Sequence, residues 1–185
     1  MQRKGIFRAV LVVGIGLSGL VGIGLKAQQD KYTVKVPDGL GFADFRGYED
    51  WQPVAPSHTD AEHVMRLIVA NPTMIKAYRE GIPGNGKPFP EGSKIAKIEW
   101  RPKIITTVPF SAGTPDTVPG ALFEVEFIQR DSKRFADSDG WGYAAFNYDD
   151  ASGKFTPIGT GYKCGTACHK NAAATNFIFT AYPKR

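Results

Sequence analysis

The chain has few of the side chains that most often bind metals. Its 185 residues include two cysteines, three histidines and three methionines. Both cysteines and one histidine lie together near the C-terminus, and no fourth ligand for a tetrahedral zinc site is evident beside them. The missing fourth ligand argues against a structural zinc site. The sequence also has no internal repeat and no long run of like charge.

Acidic residues are absent from the first 27 positions. Arg3, Lys4 and Arg8 precede an apolar run at 9–25, which a small residue suited to signal peptidase soon follows. This order predicts a secretory signal peptide over residues 1–27. An uncleaved membrane anchor is the alternative, although the run is short and rich in glycine for a stable span.

The leader also accounts for most of the positive charge. The chain has a net charge of +5, but four of its 23 basic residues lie in the first 27 positions. The rest therefore carries 19 basic against 18 acidic groups. Such a balance does not indicate a nucleic-acid or other polyanionic partner.

The remaining residues, 28–185, are enough for one domain with a core and too few for two ordinary domains. A helix is predicted from Pro72 to position 78 and ends before Gly81. Strands are predicted at 64–70, 94–108, 121–129, 141–148 and 176–182. The expected fold is mainly β (α+β), with a curved antiparallel sheet of about five strands, peripheral helices and the cysteine segment between the last two strands.

The cysteine segment reads CGTACH, with Cys164 and Cys168 followed at once by His169. Two thiols can add to the vinyl groups of a porphyrin, and the adjacent histidine can then bind the iron, so the motif predicts a covalent haem c. Its usual spacing is C-x-x-C-H, one residue shorter than here. A disulfide between Cys164 and Cys168 is geometrically possible and remains the alternative from the motif alone.

Two of the predicted strands separate apolar from charged positions. The apolar positions are Ala96, Ile98 and Trp100 in the first strand and Phe123, Val125 and Phe127 in the second; the charged positions are Lys97, Glu99, Arg101, Glu124 and Glu126. The charged positions either form a solvated sheet face with weak ion pairs or line a pocket beside the iron, where they would handle protons.

Seven stretches resemble, in their order and spacing, the cytochrome P-460 family and its relative, cytochrome c-prime-beta. They are GYEDW (47–51), VANP (69–72), FPEGSKIAK (89–97), DSKRFA (131–136), GWGY (140–143), CGTACH (164–169) and FIFT (177–180). The resemblance implies an antiparallel β fold, a homodimer and one five-coordinate haem c in the periplasm. It also favours haem attachment over the disulfide.

In the cytochrome P-460 family, a lysine is joined covalently to the porphyrin edge, and the matching position here is Lys97, with Lys94 as the second choice. Cytochromes c-prime-beta lack this cross-link. The bond requires a neutral amine, and burial beside the apolar macrocycle is expected to lower the pKa of Lys97.

Two further positions match family residues near the haem. Arg66 matches an arginine and Glu126 an acidic residue; the alternatives are a haem-propionate anchor for Arg66 and a structural ion pair for Glu126. The resemblance also leads us to expect a carboxylate shortly after the haem motif in efficient hydroxylamine oxidases. Residues 170–175 contain none, which predicts slow turnover or no activity.

The function predicted first is oxidation of hydroxylamine, together with nitric oxide, to nitrogen oxides. Lys97, Arg66 and Glu126 would be catalytic, and a periplasmic acceptor would take the electrons. The alternative is a non-enzymatic protein that binds nitric oxide or carbon monoxide. An electron carrier ranks third, because it would normally need a second strong axial ligand. The candidates for that ligand in 28–185 are Met65, Met74, His58 and His63.

Overall fold

The structure, a computed structural model, describes residues 28–106 and 116–185. One sheet of six antiparallel strands, arranged in sequence order, forms its centre. The strands are β1 (Gln52–Thr59), β2 (Val64–Ala70), β3 (Lys94–Ile105), β4 (Asp116–Arg130), β5 (Trp141–Asp149) and β6 (Lys154–Ile158). The helices are α1 (Pro72–Arg79) and α2 (Thr166–His169). The predicted mainly β class is confirmed, with six strands instead of about five.

Some predictions concern parts of the chain outside the described residues. The signal peptide at 1–27 lies entirely outside them, as do the last two positions of the strand predicted at 94–108. Within the described part, no helix is long and apolar enough to cross a bilayer. The assignment of 28–185 to a single domain stays a prediction.

The helix and the central strands form where their side chains predict. Asn71 caps α1 by accepting a hydrogen bond from the backbone N–H of Met74 at 3.1 Å, and Pro72 occupies the first turn. Strand β2 has the predicted bounds, while β4 starts earlier than predicted. Alternating side chains and a proline-opened helix were therefore sufficient signals in this part of the chain.

The two edge strands, β1 and β6, were not predicted. Pro53 and Pro56 lie in β1, and Pro157 lies in β6. Proline cannot donate a backbone hydrogen bond, so it argues against a central strand but is tolerated at a sheet edge. Beside β6, the side-chain amide of Gln29 donates to the carbonyl of Phe155 at 3.0 Å and accepts from its N–H at 2.7 Å.

The prediction of a strand at 176–182 is wrong. Asn176 and Phe177 have positive φ angles, and the segment follows the cysteine motif as irregular chain. The cysteine segment therefore follows the last strand, β6, and does not lie between two strands. Side chains satisfy several carbonyls here: the Tyr78 hydroxyl donates to the Thr180 carbonyl at 2.9 Å. The aromatic alternation of residues 176–182 instead reflects the packing of Tyr182 against Tyr78 and of Phe179 against His169.

One side of the sheet, here called the aromatic face, carries an apolar core. Phe127 and Val125 of β4 and Ala96 of β3 are buried there. The chain before β1 packs over them, with Phe42 and Phe45 wholly inaccessible to solvent. The ring of Phe42 lies 4.5 to 6.2 Å from four other aromatic rings.

The opposite side, here called the charged face, is covered at one end only. Helix α1 packs over that end, where Met74 lies against Ile68 and Ile95 in a second apolar core. Toward the other end, Lys97 and Glu99 of β3 lie beside the β4 carboxylates. The partition of charge between the two sides, predicted from alternation, is therefore confirmed.

One residue of the predicted partition is on the other side. A register irregularity beside Trp100 places Leu122 against the aromatic core, whereas Phe123 lines a groove on the charged face. An irregularity of this kind shifts the alternation by one residue, so Phe123 does not share a face with Phe127.

Candidate functional site

The cysteine motif lies against strand β5 through a close approach at Gly165. A Cβ atom on Gly165 would lie 2.7 Å from the ring of Tyr143, so the residue between the cysteines has to be small. The hydroxyls of Thr166 and Ser138 lie 2.7 Å apart and tie α2 to the turn before β5. These contacts fix His169 at the end of α2.

The His169 imidazole has a defined tautomer. Its Nδ1 lies 2.6 Å from the carbonyl oxygen of Phe177, which can only accept, so Nδ1 carries the hydrogen and Nε2 keeps its lone pair. Burial lowers the pKa of His169, against an opposing effect of the Phe177 hydrogen bond. The ring also lies 4.6 Å from that of Tyr143 and 5.0 Å from that of Phe179. A neutral, oriented imidazole results.

Cys164 and Cys168 carry free, exposed thiols, so the structure does not contain the disulfide considered as the alternative. Both line a cavity of about 450 Å³ together with His169. Lys97 and Glu126 lie on the wall contributed by the charged face of the sheet. Lys97, about 70 positions before His169 in the sequence, thus meets the cysteine motif around one space.

An adjoining cavity of about 210 Å³ brings Arg66 to the same site. Its lining includes Arg66, Lys97, Glu126, His169 and Ser57. All six sequence-predicted site residues therefore lie around two cavities that share His169 and the Lys97–Glu126 pair. Among the residues that the structure describes, neither cavity is lined by a methionine or a second histidine.

Ion pairs join the charged residues into one chain across three strands. The Lys97 ammonium lies 2.7 Å from Glu126 and 3.0 Å from Glu99. The Arg66 Nε donates to Glu99 at 2.7 Å, and the same guanidinium pairs with Glu62. Glu99 is only 4% exposed, so this is a partly buried network and not the solvated face that the sequence left as one possibility.

The structure contradicts the expected pKa shift of Lys97. Burial acts to lower the pKa, as predicted, but the carboxylates of Glu126 and Glu99 together outweigh burial and raise it. The charged ammonium is thus favoured in these surroundings. The second-choice lysine, Lys94, lies toward the aromatic face, where it donates to the carbonyl of Asp44 at 2.5 Å. Lys94 is absent from the lining of both cavities.

Beyond the ion pairs, the charged face opens into a groove of about 480 Å³. Glu124 lies in this groove beside Glu126, two positions along β4. Burial, a hydrogen bond from the Glu124 carboxyl to the Glu126 carboxylate and the negative charges of Glu126 and Glu99 raise the pKa of Glu124 to about 8, against the opposing charge of Lys97.

A comparison with protein families matches residues 45–180 to the model of cytochrome P-460. The chain belongs to the cytochrome P-460 family. Membership of this family makes the chain a c-type haem protein, as the motif and the resemblance predicted. No curated protein matches the sequence.

The residues at the site fit a haem c. A neutral imidazole presents Nε2, two free thiols lie beside it, and the ring of Phe179 is 61% exposed at the cavity wall. An aromatic ring exposed 5.0 Å from the imidazole is suited to packing against a macrocycle. Cys164, Cys168 and His169 are the residues that would hold the haem, which supplies a redox-active iron.

Sequence reasoning missed four residues as members of the site. They are Ser57, Glu99, Glu124 and Phe179. Glu99 and Glu124 already stood on the charged side of the alternation, but only the strand register pairs Glu99 with Glu124 and Lys97 with Glu126. Ser57 lies on the unpredicted strand β1, so no signal pointed to it.

Proposed function

We propose that the protein is a periplasmic haem oxidoreductase that oxidises hydroxylamine, together with nitric oxide, to nitrogen oxides. In this proposal, Cys164 and Cys168 hold the haem by thioethers, His169 is the axial ligand and Lys97 is cross-linked to the porphyrin. The chain is exported by residues 1–27 as a signal peptide, acts as a homodimer and passes electrons to a periplasmic acceptor.

The observation that carries the proposal is the composition of the cavity walls. A histidine with a free Nε2 lies on one wall and the Lys97–Glu126 ion pair on another, at 2.7 Å. Oxidation of hydroxylamine breaks N–H and O–H bonds, and each proton released needs a base. Glu126 is a suitable base because it lines both cavities, and Arg66 keeps Glu99 and Lys97 in position.

These carboxylates change the expectation drawn from the segment after the motif. Residues 170–175 indeed carry no acid, but the sheet supplies Glu99, Glu124 and Glu126 to the neighbouring cavities and groove. A carboxylate after His169 is therefore not required for proton removal. We expect measurable turnover without one.

Intact mass after acid–acetone extraction tests the attachment of the haem. The wild-type protein, matured in a haem-c-competent periplasm, should retain the haem, and Cys164→Ser and Cys168→Ser should each remove one thioether. A mass equal to that of the apoprotein would contradict the attachment.

Lys97→Arg tests the cross-link and the activity together. Arginine keeps the positive charge between Glu99 and Glu126 but cannot form the lysine bond, so the absorption spectrum should change to that of ordinary haem c and hydroxylamine oxidation should fall. Lys94→Arg is the matched control, because Lys94 lies toward the opposite face. A wild-type peptide map that recovers Lys97 unmodified would overturn the cross-link.

One observation favours the alternative function, binding of nitric oxide or carbon monoxide without turnover. The raised pKa of Lys97 opposes the neutral amine that the cross-link needs. A protein without the cross-link would resemble cytochrome c-prime-beta. Steady ferrous nitric oxide binding, with no hydroxylamine-dependent reduction of any oxidant, would favour this alternative.

A further inference from the structure

The groove on the charged face has more carboxylates than cations to neutralise them. Its carboxylates are Glu62, Glu99, Glu124 and Glu126, and its cations are Arg66, Lys97 and Arg101. Arg101 is engaged elsewhere, since it donates to the carbonyl of Glu62 at 2.9 Å and stacks 3.6 Å over the ring of Phe123. Arg101 keeps its charge in these contacts, so three cations face four acids, and one carboxyl group is left in excess.

The carboxyl group of Glu124 has another carboxyl group as its partner. Arg66 pairs with Glu62 and Glu99, and Lys97 pairs with Glu99 and Glu126. Glu124 instead shares a side-chain hydrogen bond with Glu126. Two carboxyl groups can hydrogen-bond to each other only when one carries a proton, so the charge balance and the contact agree.

We propose that Glu124 and Glu126 hold one proton between them and form a proton outlet from the cavity beside His169 to the open groove. The outlet deepens the proposed function, on which its use rests, by assigning Glu124 as a positioning and proton-transfer residue. The strand alternation placed Glu124 among the charged positions without distinguishing its role from theirs.

The arrangement of the two acids gives the outlet a direction. Glu126 lines both cavities and the groove, whereas Glu124 lines the larger cavity and the groove. Glu62, with 61% of its side chain exposed, lies on the groove side and marks the route to water. A proton accepted by Glu126 therefore has a short path outward through Glu124.

Each transfer returns the pair to its starting state. Glu126, ionised and held by Lys97, accepts a proton from the cavity while Glu124 releases its own proton to groove water. The proton then moves from Glu126 to Glu124, and the net change is one proton carried outward.

The groups that face Glu124 have opposing effects on its pKa. Glu99 lies opposite it on β3 and Asn147 opposite it on β5. Lys97 favours the ionised form of Glu124, whereas burial, Glu126 and Glu99 favour the protonated form. Arg66 and Arg101 complete the charged surroundings. The protonated form prevails at neutral pH because the raised pKa is about 8.

Infrared difference spectroscopy of the haem-loaded protein tests the pair without any turnover. At pH 7 the wild type should show a protonated-carboxyl C=O band that disappears near pH 8, and Glu124→Gln should lack it. Glu126→Gln should move the titration to lower pH, because the like charge is gone. Glu80→Gln, at an exposed ion pair on the far helix, should keep the wild-type band.

Turnover provides the second readout. Glu124→Gln should lower kcat about tenfold with KM unchanged, because groove water replaces the lost carboxyl only in part. Absence of the band from the wild type, or its persistence in Glu124→Gln, would overturn the pair. A confirmed band with unchanged kcat in Glu124→Gln would overturn the outlet and leave hydroxylamine oxidation standing. A confirmed band in a protein without turnover would instead reject the proposed function while the proton-sharing pair stands.

Discussion

The two sides of the sheet are built from the same strands but are stabilised by different interactions. On the aromatic face, rings such as those of Phe42 and Phe127 are wholly buried, and the centroids of these two rings lie 5.0 Å apart. On the charged face, Glu99 is buried almost as fully, yet its contacts are Arg66 and Lys97. Because the aromatic core stabilises the sheet from one face, the other face can hold polar groups beside a cavity, although burying them costs free energy. Stability and chemistry are thus assigned to opposite sides of β3 and β4.

The largest loss of stability should come from the aromatic face. Phe42→Ala removes a ring with no exposure and four aromatic contacts, so the free energy of unfolding should fall by about 4 kcal/mol. Ile104→Ala, at a side chain 69% exposed, should cost less than about 0.5 kcal/mol. Urea unfolding monitored by fluorescence measures both variants. Equal losses would contradict the core assigned to this face.

A smaller loss should follow from Glu99→Gln on the charged face. The substitution leaves Arg66 and Lys97 short of a buried partner, and because both cations keep some exposure, we expect a loss of about 2 kcal/mol. Glu62→Gln is the matched control, since Glu62 pairs with the same guanidinium but is largely exposed. Its loss should be clearly smaller than that of Glu99→Gln, because solvent screens an exposed ion pair. Similar values for the two variants would show that burial does not distinguish them.

The smallest effect should be a pH dependence specific to Glu124. Between its ordinary value of 4.5 and the raised value of about 8, the folded protein keeps a proton that the unfolded chain releases. Stability should therefore fall as pH rises through this window, and Glu124→Gln should lack that fall. After allowance for solvent screening, the free energy of unfolding of the wild type should fall by about 1 kcal/mol relative to that of Glu124→Gln. Thermal unfolding at pH 5 and pH 8.5 measures it; a constant difference between the two proteins would contradict the raised pKa.

The regions predicted correctly are those where local pattern and tertiary environment agree. Strand β2 follows from its local sequence and the start of α1 from Pro72. The edge strands were missed because Pro53 and Pro157 argue locally against a strand, and only position in the sheet makes them acceptable. The segment at 176–182 has a strand-like pattern whose true cause is packing against Tyr78 and His169.

Six residues of the site were predictable from the sequence, but the electrostatics of the site were not. Alternation placed Lys97, Glu99 and Glu126 on one side without showing which of them touch. The direction of the Lys97 pKa shift depends on the register that sets Lys97 opposite Glu126. Burial was anticipated, whereas the two carboxylates that outweigh it required the three-dimensional pairing of strands.

Both margins of the sheet are closed to further strand pairing. Pro53, Pro56 and Pro157 remove backbone donors, the Gln29 amide occupies the N–H and carbonyl of Phe155, and Arg185 donates to the carbonyls of β1. Within the described residues, the row of donors and acceptors is therefore interrupted at each margin, which guards against fibril-like aggregation at high concentration. A homodimer of this protein would accordingly be held by side-chain contacts between surfaces, and not by one sheet shared between two copies.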